Sequence, residues 1–240
     1  MTRLAFEFYS SLESDGGGAA MRRRWPLFAA IGFALLFVAA QVAAPVPPDI
    51  KASGDRIVAY YQAHGNGVRL SVWLITIAGL PLVPLVAWFR SRITGIGRDV
   101  LLIGAIGIAA QTTVWTWISA GLALRPDQLD PHTARTLTDV GAYYGPVLTV
   151  AVILFAAPIG WKALRGENAW PGWVGWLTAV LVIEQLAETA TVFGKSGFIA
   201  PGGAMNFVVG APLFVVWIIA AAAGSINGAE QATIAPTPSG

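Results

Sequence analysis

The sequence predicts an all-α protein, a polytopic transmembrane bundle of about six apolar helices. The chain of 240 residues is 55% hydrophobic and only 12% charged. Soluble domains contain about 25% charged residues, so this chain has too little charge to cover a water-exposed surface. Its apolar residues form runs of about 20, the length that a helix needs to cross a bilayer. Arginines and lysines cluster at the ends of these runs.

The first 24 residues are predicted to be a cytoplasmic tail, because Gly16, Gly17 and Gly18 favour a flexible segment. Met21 is a second possible start, since three arginines and a long apolar run follow it at once.

The first apolar run, 25–44, is predicted to be the first span. A cleaved signal peptide over 21–44 is the alternative, because the arginines resemble its charged region and Val42-Ala43-Ala44 resembles a cleavage site. The length of the run and Pro45 directly after it favour a retained span.

A polar stretch, 45–68, separates the first and second spans. Its prolines keep its start extended, and the segment SGDRIVAYYQAHG then predicts a short helix with Ser53 as its cap. Tyr60 and Tyr61 favour the headgroup layer, so this helix is predicted to lie on the bilayer, with an ordinary solvated loop helix as the alternative.

The second span is predicted at 70–89 and contains Pro81 and Pro84, which should kink it. The segment 225–240 is small and polar with two prolines, and it is predicted to be a disordered cytoplasmic tail. The remaining spans are predicted at 100–123, 138–160, 172–193 and 204–224.

Basic residues in the short loops predict the orientation. They are denser on the side of the amino terminus, so both termini are predicted to be cytoplasmic. Tryptophans near the same boundary suggest an aromatic belt there. These tryptophans are Trp25, Trp88, Trp161, Trp170, Trp173 and Trp176.

The chain contains no cysteine, which excludes disulfides and cysteine-ligated metals. Its two histidines, His64 and His132, lie in predicted loops, so a bis-histidine haem inside the membrane is excluded as well. The sequence predicts no catalytic site, metal site or cofactor, and no nucleic-acid partner.

The most informative feature is a pair of acidic residues in the fifth predicted span. Glu184 and Glu188 are four residues apart and share one helix face, which Thr191 extends. Each charge costs about 2.5–3.5 kcal/mol at the centre of a membrane helix, so both should face the bundle or a water-filled cavity. Two carboxylates this close should not both ionise in a low dielectric.

The third predicted span has a matching polar stripe, Thr112, Thr116 and Ser119, at the same heights. These hydroxyls should bond to the carboxyls if the third and fifth spans are neighbours. Further candidates for the polar site are Gln111, Gln185 and Asn206, and positive charge at the outer mouth is offered by Lys195, Arg125, Arg135 and His132.

The layout resembles uncharacterised multi-pass membrane proteins of high-GC Gram-positive bacteria, similar to the DUF4386-type families. The resemblance rests on IVAYYQAHGNGVRL, AWPGWVGWLTAV and SGFIAPGGAMNFVVGAPLFVVWIIA, within residues 45–224. It implies a six-helix bacterial plasma-membrane protein of unknown activity and assigns no site residues.

The sequence therefore favours a non-enzymatic structural or accessory membrane subunit, in which the glutamates form a hydrogen-bonded cluster that fixes helix packing. The alternative is a proton- or cation-coupled small-solute carrier or channel that uses the glutamate pair. A lipid-modifying enzyme is a third possibility, but no nucleophile–base pair supports it. The expected partners are the lipid bilayer and either a protein partner or a second copy.

Overall fold

A computed structural model of the chain describes residues 16–167 and 170–234, with side chains for 24–167 and 170–226. Every regular element in these ranges is helical. The α-helices are α1 (Gly16–Ala43), α2 (Gly54–Ser91), α3 (Ile96–Leu124), α4 (Pro131–Ala142), α5 (Tyr144–Leu164), α6 (Gly172–Glu188) and α7 (Ala211–Ile234).

Six helical segments of the described chain are long and apolar enough to cross a membrane. They are Arg24–Ala43, Gly54–Ser91, Ile96–Leu124, Pro131–Leu164, Gly172–Phe193 and Met205–Ile226. Large apolar side chains on several of them are exposed, including Leu35, Leu80, Ile103, Ile183 and Val208. Such a surface is suited to lipid and not to water, and the predicted all-α bundle of about six spans is confirmed.

The main core lies where α5 packs against α3 and α6, and where α1 packs against α2 and α7. Phe155 and Trp217 are almost fully buried at its centre, with ring centroids 5.6 Å apart. The backbones of α3 and α5 approach closely at Gly104, where a β-carbon would stand 2.8 Å from the Ala151 carbonyl oxygen. A small residue is therefore required at this crossing, as is common between membrane helices.

The predicted surface helix and second span form one helix, α2, of 38 residues. The Ser53 side chain accepts from the Arg56 amide at its start, as predicted. A helix of this length spans about 57 Å, so its first turns extend beyond a hydrocarbon core of about 30 Å. The prediction of a separate surface helix was wrong because no proline interrupts the chain between Gly54 and Pro81, and the helix continues through Gly65 and Gly67.

We refer to residues 44–69 and 125–142 as the cap. Its own small core contains Ile57, Tyr61 and Ala134, together with Leu122 from the end of α3. The Arg135 guanidinium donates to the carbonyl oxygens of Ile50 and Ala52 and pairs with Asp139 at 2.9 Å. These contacts hold α4 against the chain that enters α2.

The predicted fourth span, 138–160, corresponds to the end of α4 and most of α5, with only Tyr143 between the two helices. Helical structure thus begins at Pro131 and not at residue 138, because Asp130 caps α4 and Pro131 occupies its first position.

The two predicted tails are partly helical. Helix α1 begins at Gly16, and α7 continues to Ile234, so residues 225–234 are not a disordered tail. The first proline after α7 is Pro236, and the Ser225 hydroxyl donates to the Ala222 carbonyl, so nothing ends the helix earlier. Residues 1–15 and 235–240 lie outside the described ranges.

Candidate functional site

Two departures from regular α-helix position the polar residues of the fifth and sixth spans. Helix α6 ends at Glu188 and continues as a 3₁₀-helix, Thr189–Phe193. The sixth span begins with a π-helix, Met205–Gly210, before α7. π-Helical turns are rare and occur frequently at functional sites. Here the wide turn brings both Asn206 and Gly210 to the acidic end of α6.

Glu184 and Glu188 are joined through one amide. Gln185 Nε2 donates to Glu184 Oε2 at 2.8 Å and to Glu188 Oε2 at 3.0 Å. Asn206 Nδ2 donates to the other oxygen, Glu188 Oε1. Gln185 and Glu188 are only 5% and 4% exposed and Glu184 is half-buried, so the two carboxyl groups meet largely out of contact with the surface. The glutamate pair is therefore in the bundle interior, as expected from its cost in lipid.

Two glycines leave room for the carboxyl groups. A β-carbon at Gly210 would stand 2.7 Å from Glu188 Oε2 and 3.2 Å from Glu184 Oε1. A β-carbon at Gly145 of α5 would stand 3.2 Å from Glu188 Oε1. The site is thus too tight for one additional methyl group on either side.

Oxygen acceptors outnumber donors in this region. Glu184 Oε1, Asn206 Oδ1 and Thr191 Oγ1 are buried without a hydrogen-bond partner in the described part of the chain. Thr191 is fully buried one turn beyond Glu188, but no hydrogen bond joins it to the carboxyl groups. Buried polar groups normally have partners, and an orphaned set is a candidate site for an unseen proton or ion.

The polar stripe of the third span does not bond to the carboxyl groups. Thr112 Oγ1 lies 3.0 Å from the Tyr144 hydroxyl, and Thr116 donates to the Thr113 carbonyl at 2.8 Å. Ser119 lines a small cavity near the cap. The hydroxyls do not reach the carboxyl groups because α3 packs on α5. Helix α5 places Tyr144 on the side of the hydroxyls and Gly145 on the side of Glu188.

No cationic side chain neutralises the pair within residues 24–167 and 170–226. The ion pairs formed there, Arg135–Asp139 and Lys162–Glu167, lie outside the site. Lys195 is exposed, and Arg135 is engaged in the cap. The same ranges contain no group of three histidines, aspartates or glutamates that would hold a metal ion.

Sequence reasoning missed Gly145, Gly210 and Tyr144. Periodicity alone cannot show which glycine faces a carboxyl group, because many glycines in spans serve only helix contacts. The one usable signal was the position of Asn206 and Gly210, four residues apart at the entry to the sixth span.

No family model, curated protein or solved structure matches this chain. The resemblance to the DUF4386-type families stays a prediction.

Proposed function

We propose that this integral membrane protein is non-enzymatic and that its Glu184–Glu188 pair binds a proton or a small cation. The observation behind the proposal is the excess of buried acceptors: two carboxyl groups, with orphaned oxygens on Glu184 and Asn206, and no cationic partner in the described chain. Two ionised carboxylates beside one amide repel each other strongly at low dielectric. A bound proton or cation removes that repulsion and satisfies the acceptors.

The broken helices support the same proposal. Ion-binding sites of membrane transporters are often formed where helices are discontinuous near the middle of the bilayer, because the freed backbone and nearby side chains supply ligands. The 3₁₀-helix after Glu188 and the π-helix at Met205–Gly210 give this chain two adjacent interruptions at one site.

A structural or accessory subunit is the second candidate. It is favoured by the hydrogen bonds from Gln185 and Asn206, which already satisfy three of the four carboxyl oxygens. In that case the cluster fixes the packing of α6 against the sixth span, and a partner protein or second copy covers part of the exposed apolar surface.

The proposed location is a bacterial plasma membrane with both termini in the cytoplasm. The excess of arginine on the amino-terminal side supports this orientation. The exposed rings of Trp161, Trp173 and Trp176 mark a membrane boundary at the end of the bundle opposite the cap, since exposed tryptophans favour the interface.

Glutamine variants test the proposal. E184Q, E188Q and the double variant are purified in detergent, and the midpoint of thermal unfolding is measured between about pH 5 and about pH 9. If the folded pair holds a proton that the unfolded chain has released, the parent is more stable at low pH, because stability rises toward the pH at which the folded state binds more protons. The double variant should lose this dependence and be at least as stable as the parent.

A matched control is E167Q. The hydrogen bond and the charge of Lys162 hold the pKa of the Glu167 carboxyl below its usual range, so this group stays ionised across the tested range. E167Q should therefore leave the pH profile unchanged. Replacing sodium chloride with choline chloride separates a cation from a proton, since only a bound cation raises the midpoint with its concentration. A double variant that is less stable at every pH would favour the structural role.

A further inference from the structure

Two cavities lie at the cap end of the bundle. The larger has a volume of about 360 Å³ and is lined by polar side chains of α2, including His64, Asn66 and Arg69. Its opposite wall is the end of α1 and the end of α3, at Ala43 and Leu124. It lies where α2 leaves the apolar span, so it is a polar opening at the level of the membrane surface.

The smaller cavity, of about 70 Å³, lies deeper and shares Tyr61 and Pro45 as walls with the larger one. Gln41, Ser71 and Ser119 give it three polar side chains. Within the described part of the chain neither serine hydroxyl forms a hydrogen bond, so both are available to water. A cavity of this size with several polar partners has room for a few water molecules.

Aromatic side chains lie between the smaller cavity and the residues that hold the glutamate pair. Trp115 and Phe207 line the cavity. Trp115 stacks on Tyr144, with ring centroids 5.5 Å apart and planes at 27°. Tyr144 precedes Gly145, which faces Glu188, and Phe207 follows Asn206, which bonds to Glu188. The groups that close the cavity are thus direct neighbours of the groups that hold the carboxyls.

Toward the opposite end of the bundle, buried side chains pack directly beside the glutamate pair's helix. Below Glu184 along α6, Leu181 is fully buried and Thr178 is bonded to the indole of Trp217 at 2.9 Å. Trp217 packs against Phe155 and Phe214. Leu181, Phe155 and Trp217 belong to the main core.

We infer that the glutamate pair exchanges its ligand only with the aqueous phase at the cap end, through these two cavities, and that the Trp115–Tyr144 stack is the gate. This inference rests on the proposed function. The space beside the carboxyls limits the ligand to a proton or a single bare ion. Gly145 and Gly210 leave no space for an organic solute beside the carboxyls.

The test uses two carbodiimides on the full chain in vesicles. The accessibility of a carboxyl-terminal tag shows which side of the protein faces outward. Membrane-permeant dicyclohexylcarbodiimide reacts with protonated carboxyl groups inside membranes and needs no aqueous path. A water-soluble carbodiimide with a hydrophilic amine needs such a path. Peptide mass spectrometry measures the labelling of Glu184 and Glu188.

The permeant reagent should label the parent. The water-soluble reagent, added at the cap side, should label the parent slowly and W115A faster by about tenfold or more, because removing the indole opens the packed layer. The same reagent at the opposite side should label neither protein. W117A is the matched control, since Trp117 is on the same helix but 71% exposed, and its labelling should equal that of the parent.

Y144F provides a second variant in case W115A does not fold. It keeps the aromatic stack but removes the hydrogen bond to Thr112, so it should also accelerate labelling from the cap side. Labelling is done in choline chloride, where no small cation competes with the proton for the pair. Absence of labelling by the permeant reagent would then overturn the proposed function itself. Labelling by the permeant reagent with equal aqueous labelling from both sides, or no acceleration in either folded variant, would overturn only the route and its gate.

Discussion

The fifth and sixth spans meet at two polar contacts that differ in how completely they are satisfied. At the end opposite the cap, the Trp217 indole donates to Thr178, whose hydroxyl donates to the Val174 carbonyl at 2.7 Å. Each of these donors has an acceptor. At the cap end, the carboxyl groups and Asn206 retain buried oxygens without donors. The same pair of spans therefore contains one polar contact suited to packing and one suited to binding, and the difference lies in the balance of donors and acceptors.

The variant W217A should disrupt the packing contact and have the largest effect on stability. Trp217 is fully buried among aromatic rings, so its loss leaves a large cavity and should destabilise the protein by about 3–5 kcal/mol. Thermal unfolding in detergent measures this effect. W176A is the control, because Trp176 is 70% exposed and its removal should have little effect. Equal losses in the two variants would contradict the packing described for α7.

The binding contact is tested most directly at Gly210. The variant G210A places a methyl group against both carboxyls and should destabilise the protein by about 1–3 kcal/mol. In an E188A background most of this penalty should disappear, since the obstructing oxygen is gone. The control G79A meets no atom within 4 Å and should be neutral or stabilising by up to about 1 kcal/mol. A penalty for G210A that persists without Glu188 would mean that the clash lies elsewhere.

The variant T178V tests the comparison further by leaving an unsatisfied donor in the packing contact. It keeps the shape of the side chain but leaves the Trp217 indole nitrogen without an acceptor, which should cost about 1–2 kcal/mol. T178S retains the hydroxyl and should lose less. Stability of both variants is compared at two pH values, and neither loss should depend on pH because no titratable group is involved.

The smallest effect is expected at Asp130, an exposed carboxylate that caps α4. Its side chain accepts from the Thr133 amide at 2.7 Å, and this bond lowers the pKa of the Asp130 carboxyl. Its stabilisation is therefore present above the unfolded pKa of about 4 and is lost as the pH falls through the lower folded value. D130A should slightly lower the unfolding midpoint at neutral pH, with the difference shrinking in acid.

D127A is the control for D130A, because Asp127 is exposed and does not cap α4. The direction of the pH dependence distinguishes this carboxylate from the glutamate pair. Asp130 stabilises the protein when deprotonated, whereas the pair is expected to stabilise it when a proton is bound. A D130A difference that grows in acid would contradict the capping role.

The sequence predicted the class of fold because apolar runs of membrane length are long and unambiguous. It also located the glutamate pair, since charges inside such runs stand out. It placed the helix ends less well around α2 and α7, where polar but helix-compatible residues continue a helix beyond the bilayer. Its conditional pairing of the carboxyls with Thr112, Thr116 and Ser119 does not occur, because equal heights on two helices do not show that the helices touch. Asn206 was among its candidates, but the π-helical turn that aims this residue at Glu188 leaves no clear pattern in a sequence.

The position of Asn206 has a consequence for biosynthesis. The fifth span is the least apolar of the six, and its two glutamates add an insertion cost that Gln185 only partly offsets. Asn206, whose side-chain amide also donates to Glu188, lies in the sixth span and is therefore synthesised later. We expect the fifth span to remain poorly inserted until the sixth emerges, so that these two segments enter the lipid together as a hairpin.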